Sequence, residues 1–182
     1  MTTSIRRRIA GTIAAALVLA ACGGGGPDTV GVQSWVSAFC SALSEWQNSV
    51  QDSASQLTEG LDPATGPEAG KAALSGFIDG VIADTDDLID ATNDAGIPDV
   101  ENGEEVSDAL IAAFENARSA LSETRGEIED LPTDPAQFGS QADEIGTSIR
   151  SSLSDIGSDL GQKLDNLAPE ELREAFDETS CA

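Results

Sequence analysis

Between positions 138 and 167 apolar side chains recur at steps of three and four: Phe138, Ala142, Ile145, Ile149, Leu153, Ile156, Leu160, Leu164 and Leu167. That spacing holds them on one side of an α-helix and is incompatible with a strand, whose side chains alternate faces at every residue. An isolated helix with one apolar stripe is marginal in water, so the stripe must be covered by other parts of the chain. The pattern therefore demands partner helices.

They are supplied upstream. From about residue 31 to 58, Val36, Leu43, Val50 and Leu57 repeat every seven positions, flanked by Trp35, Phe39 and Trp46. At about 100° per residue the three aromatic residues fall within about 40° of one another, which makes them core or, alternatively, the cradle of a ligand. A second stripe, Leu74, Phe77, Ile78, Val81, Ile82, Leu88 and Ile89, runs to about Ala95, where Gly96-Ile97-Pro98 stops it. A third comprises Val106, Leu110, Phe114, Ala117, Leu121, Ile128 and Leu131, ended by Pro132.

The starts of these helices carry their own signals. Thr65 with Glu68, and Asn102 with Glu105, have capping-box spacing. Asp134-Pro135-Ala136-Gln137 places an N-cap before a proline at the first helical position. After Ala168-Pro169, a short helix over roughly 170–179 carries Leu172, Ala175 and Phe176 on one side. No stretch sustains period-two alternation. The expected fold is all-α: an antiparallel four-helix bundle over residues 31–182, with a short fifth C-terminal helix.

Glycine pairs one turn apart, Gly76 with Gly80 and Gly157 with Gly161, need a reason, because each glycine weakens a helix by about 1 kcal/mol relative to alanine. Close approach of two backbones is the preferred explanation. The alternative is a loose helix that opens to admit a ligand.

The N-terminus reads differently. Arg6-Arg7-Arg8 precede thirteen residues from Ile9 to Ala21 that are apolar or small, too few for the roughly 20 that span a hydrocarbon core. Basic head, apolar segment and small residues make residues 1–21 a secretory signal. Leu19-Ala20-Ala21-Cys22 resembles the lipobox of bacterial lipoproteins. That resemblance implies diacylglyceryl transfer to the Cys22 sulfur and cleavage before it, leaving the protein anchored on the extracytoplasmic face of the cell membrane. Residues 22–30, rich in glycine, would then be a flexible tether.

With Cys22 assigned to lipid, Cys40 and Cys181 remain, and two cysteines in an exported chain are expected to pair. The bridge would close nearly the whole domain and bring its two ends together. The layout is also similar to the small all-helical lipoproteins of unknown function common in actinobacteria, in which an early Trp-x-x-x-Phe-Cys helix and a late cysteine recur. Trp35, Phe39, Cys40 and Cys181 are the matching positions.

Charge and missing residue types narrow the function. Across the whole chain 33 acidic residues oppose nine basic ones, and loss of Arg6, Arg7 and Arg8 with the signal takes the formal charge from −24 to −27. Such a surface repels nucleic acid and anionic headgroups, so no nucleic-acid partner is expected and the lipid must do the anchoring. Histidine and tyrosine are absent, which removes the commonest general base and metal ligand. Neither Lys71 nor Lys163 follows a serine by three residues, as serine–lysine catalysis of the penicillin-binding type requires. Asp86, Asp90 and Asp94 share a helix face, but no calcium-loop spacing accompanies them. A solvated acidic face is the simpler reading.

No catalytic, cofactor or metal residue is therefore assigned, and the chain is not expected to be an enzyme. The leading expectation is a membrane-anchored helical module that contacts envelope proteins or acts as a spacer. The alternative is a carrier holding an apolar or lipid-like ligand between its helices. A filled interior favours the first and a hollow one the second.

Overall fold

A computed structural model describes residues 29–60, 66–179 and 181. The expected signal at 1–21, the lipidated Cys22, the tether as far as residue 28 and the capping residue Thr65 lie outside the described residues, as do the side chains of Leu153 and Ile156. In chain order the elements are β1 (Thr29–Val30), α1 (Val32–Gly60), α2 (Pro67–Asp94), β2 (Ile97–Pro98), α3 (Gly103–Glu129), α4 (Pro135–Leu167) and α5 (Glu170–Thr179). The chain is mostly helical, with five helices among the described residues, and their limits lie close to those read from apolar period.

Helix ends follow local chemistry. At α4, the Asp134 carboxylate Oδ1 accepts from the backbone N–H of Ala136 at 3.2 Å and of Gln137 at 3.1 Å, with Pro135 at the first position. This satisfies two of the donors that every helix start leaves unpaired. α2 starts differently: Gly66, at φ 81°, stands at the N-cap and Pro67 follows it.

The capping box expected at Asn102 does not form, since Asn102 adopts φ 62°, ψ 21° and makes no side-chain cap. The tight loop before α3 is the cause. Val100 N–H donates to Pro98 O at 2.8 Å and Gly103 N–H to Val100 O at 3.1 Å, which turns the chain through a left-handed residue. Asparagine adopts that conformation more readily than most residues, but a capping side chain needs an extended backbone to reach forward.

β1 and β2 form a short parallel pair, with Thr29 opposite Ile97 and Val30 opposite Pro98. Asp99 N–H donates to Val30 O at 2.9 Å, and the Trp35 indole Nε1–H donates to Gly96 O at 2.8 Å. The fold is thus mostly helical with one short strand pair, and Thr29 and Val30, the last residues of the expected tether at 22–30, form β1.

α1 packs on α2, α2 on α3, α3 on α4, and α5 on α1. Two apolar clusters fill the interior. One joins Trp35, Val36, Phe39, Leu88, Val106, Leu110, Phe114 and Leu172 around the chain ends, and the other joins Leu74, Ile78, Val81, Leu121, Ile128 and Ile145. The stripe of α4 is covered only in part: Ile145 is buried, whereas Phe138, Ala142, Ile149, Leu160, Leu164 and Leu167 are half-buried.

Candidate functional site

Where α1 and α4 face one another, the two clusters leave a cavity of about 320 Å³. α1 contributes Phe39, Leu43, Trp46 and Gln47, and α3 contributes Leu110, Phe114, Ala117 and Leu121. Thr85 comes from α2, and Gly157, Leu160, Gly161 and Leu164 from α4. Among the described residues, none that lines it is charged. Gln47, Gly157 and Gly161 are exposed and form the rim, while Phe39, Leu110, Phe114, Ala117 and Leu121 are buried and form the floor.

The polar atoms inside are already paired. Trp46 Nε1–H donates to Thr85 Oγ1 at 3.2 Å, and the Thr85 hydroxyl donates to Val81 O at 2.7 Å. With Thr85 1% exposed, this chain fixes the indole against the wall without leaving a free donor in the space it borders.

Beneath the cavity the aromatic rings interlock. Trp35 stacks on Phe39 with centroids 5.5 Å apart and planes 2° from parallel. Phe176 of α5 presents its edge to both, at 6.2 Å and 5.9 Å, and Phe114 lies 6.3 Å from Phe39. Edge-to-face and offset contacts of this kind stabilise beyond the area they bury. The aromatic stripe of α1 thus divides: Trp35 is core, Trp46 is cavity wall and Phe39 serves both.

Cys40 and Cys181 stand beside this cluster with sulfurs at bonding distance and Cα atoms 5.0 Å apart, across a sequence separation of 141. The structure brings the paired candidates together as the cysteine count requires. Cys22, the candidate lipid attachment, lies outside the described residues.

The glycine pairs are not packing devices. A Cβ built on Gly76, Gly157 or Gly161 would meet nothing within 4 Å, and one on Gly80 would only touch Ser53 Oγ at 3.7 Å. Close backbone approach is overturned by that open space. Gly157 and Gly161 instead keep the rim of the cavity low. Close approach does occur at Gly103, where a Cβ would run into the carbonyl oxygen of Pro98.

No family model matches the chain, and no curated protein or solved structure matches it significantly. Its chemistry must be read from its own residues.

A second, larger cleft of about 460 Å³ opens between the start of α1 and α5, bordered by Asp99, Glu171, Glu174 and Glu178. All four acids are exposed. The buried polar residues among those described are Thr85, Thr92 and Ser107, none of them ionisable in the working range. Asp79 and Asp86 of the acidic α2 face pair with Arg125 and Arg118 of α3, each at 2.5 Å, and Asp84 accepts from Ser49 Oγ at 2.8 Å. Among the described residues no three acids or thiols converge on a point that would hold a metal ion. No described helix is long and apolar enough to cross a membrane.

Thr85 and the rim were legible in part. A threonine interrupts the apolar stripe of α2 between Val81 and Leu88, and a polar residue in such a row signals either a buried hydrogen bond or a lined space. Gln47 gave no signal.

Proposed function

We propose that this protein is a lipid-anchored carrier on the extracytoplasmic face of the cell membrane, holding an apolar ligand between α1, α3 and α4. The single observation that carries this reading is the uncharged cavity at the α1–α4 seam, with its paired polar atoms and apolar floor. A spacer or contact module does not call for such a space, and apolar side chains left unpacked along it forgo the stability that filling it would give. At about 320 Å³ the cavity lies at the low end of the roughly 300–1,000 Å³ usual for small-molecule sites. That volume suits one alkyl or isoprenoid chain.

In this proposal the helices form an antiparallel four-helix bundle, α5 bracing α1 through the Cys40–Cys181 bridge, and the chain is not an enzyme. Two features support the last point: the absence of histidine and tyrosine, and the absence of any buried ionisable group among the described residues, Cys40 being held in the bridge. Anchoring rests on the Leu19-Ala20-Ala21-Cys22 sequence. The membrane is then both the attachment surface and the source of ligand.

Native mass spectrometry of the protein purified from its host tests the carrier, with an apolar adduct expected that solvent extraction removes. If no adduct is found and the extracted protein takes up no 1-aminoanthracene, the carrier reading fails and the contact module or spacer replaces it. Intact mass tests the anchor: a chain beginning at Cys22 with acyl mass is expected, and an unmodified chain beginning elsewhere rules the anchor out.

A further inference from the structure

Resting on the carrier reading, the chemistry of the rim goes one step further and assigns the class of ligand. We infer that the cavity takes a single alkyl chain bearing an uncharged head group, not a free fatty acid, and that the chain enters between α1 and α4 over Gly157 and Gly161.

A carboxylate brought to this site would need a cation or spare hydrogen-bond donors, because loss of hydration disfavours an unpaired charge. Neither is present. The two donors inside the cavity are spent, Trp46 Nε1–H on Thr85 and the Thr85 hydroxyl on Val81 O. Lys163 of α4 pairs with Asp159 at 2.9 Å, and among the described residues no basic one lines the space. The strongly acidic surface adds repulsion at longer range.

What the rim does offer is the exposed Gln47 amide, a neutral donor and acceptor that matches a hydroxyl or ester head but supplies no counter-charge to a carboxylate. The entrance follows from where side chains are missing. Gly157 and Gly161 are exposed, border the cavity and have empty space where a Cβ would stand.

The test uses the oxidised mature chain, from residue 22 onward, carrying Cys22→Ser, so that no detergent is needed, with 1-decanol and decanoate titrated at pH 7.5 and Trp46 fluorescence as the signal. Decanol is expected to bind at least tenfold more tightly than decanoate, and Trp46→Phe to remove the fluorescence response. A ratio below tenfold overturns the assignment of head group while leaving the carrier standing; failure of both probes to bind defeats the carrier itself. Gly161→Leu, and separately Gly157→Leu, should each weaken decanol at least tenfold with the thermal midpoint undiminished. Decanol affinity within tenfold of the parent in both variants overturns the entrance. Should either leucine lower the midpoint, the alanine variant at the same position replaces it, with at least a threefold weakening expected and anything smaller counting against the entrance.

Discussion

Reducing the Cys40–Cys181 bridge should cost this protein a large part of its stability, and the size follows from its span. With a separation of 141 residues, the loop-closure relation gives about 5 kcal/mol at 25 °C. That is an upper figure, because a denatured chain keeps some compactness and so gains less freedom on reduction. The folded state loses little in return, since α5 stays docked through Leu172 and Ala175, both buried, and through the Phe176 edge against Trp35 and Phe39. For a domain of this size about 2–4 °C accompanies each kcal/mol, so the thermal midpoint should fall by about 10–20 °C. Calorimetry with and without a phosphine reductant, repeated on Cys40→Ser/Cys181→Ser, measures it. A fall of less than about 3 °C in both experiments would refute the claim that the bridge restrains the unfolded chain. Free alkylation of both thiols in the oxidised protein would show that the bridge is absent.

Gly103→Ala should destabilise by roughly 3 kcal/mol, the upper end for overpacking, because its Cβ would run into the carbonyl oxygen of Pro98 in β2; Gly126→Ala, with nothing within 4 Å, should instead stabilise by up to about 1 kcal/mol. Urea midpoints at constant slope compare the two, and equal signs would count against the close approach at β2. Asp134→Ala should lose about 1 kcal/mol of stability through the α4 cap, Asp134→Asn much less, as read by the same titration. Thr85→Val leaves the Trp46 indole N–H without its protein partner and should cost about 1–2 kcal/mol; an unchanged midpoint would mean that the Trp46–Thr85 bond contributes nothing.

The five helices were legible because the property that defines them, an apolar stripe of period 3.6, is also the property that buries them. Asp134 announced its cap because Pro135 and the residues after it leave only one geometry open. The bridge was legible from cysteine number once the chain was read as exported. Other features depend on relations that a linear pattern does not record. β1 and β2 are two residues each, too short for alternation to register, and Pro98 argues against a strand on propensity. The spacing of Asn102 and Glu105 promised a capping box, but the Pro98–Gly103 turn sets the backbone first. The cavity was the least visible feature, since the residues on its floor, Leu110, Phe114 and Leu121, form the same stripe that a filled core would use. Only the way α1, α3 and α4 come together around the space separates the two cases.

That arrangement has a consistent physical setting. On one side of the cavity α1 is held at several points: the β1–β2 pair at its start, Trp35 on Gly96 O, the stacked Trp35 and Phe39 rings, and the covalent link to the chain end. On the other side α4 packs along α3 and carries Gly139, Gly146, Gly157 and Gly161, around none of which a Cβ would meet anything within 4 Å. Each of these positions weakens the helix by roughly 0.5–1 kcal/mol against alanine without a steric reason for glycine. A helical protein that only had to persist would gain stability from alanine at all four. Glycine there leaves the wall opposite the bridge as the one with least to lose on moving, so passage of a ligand would disturb α4 while the braced aromatic floor stays in place.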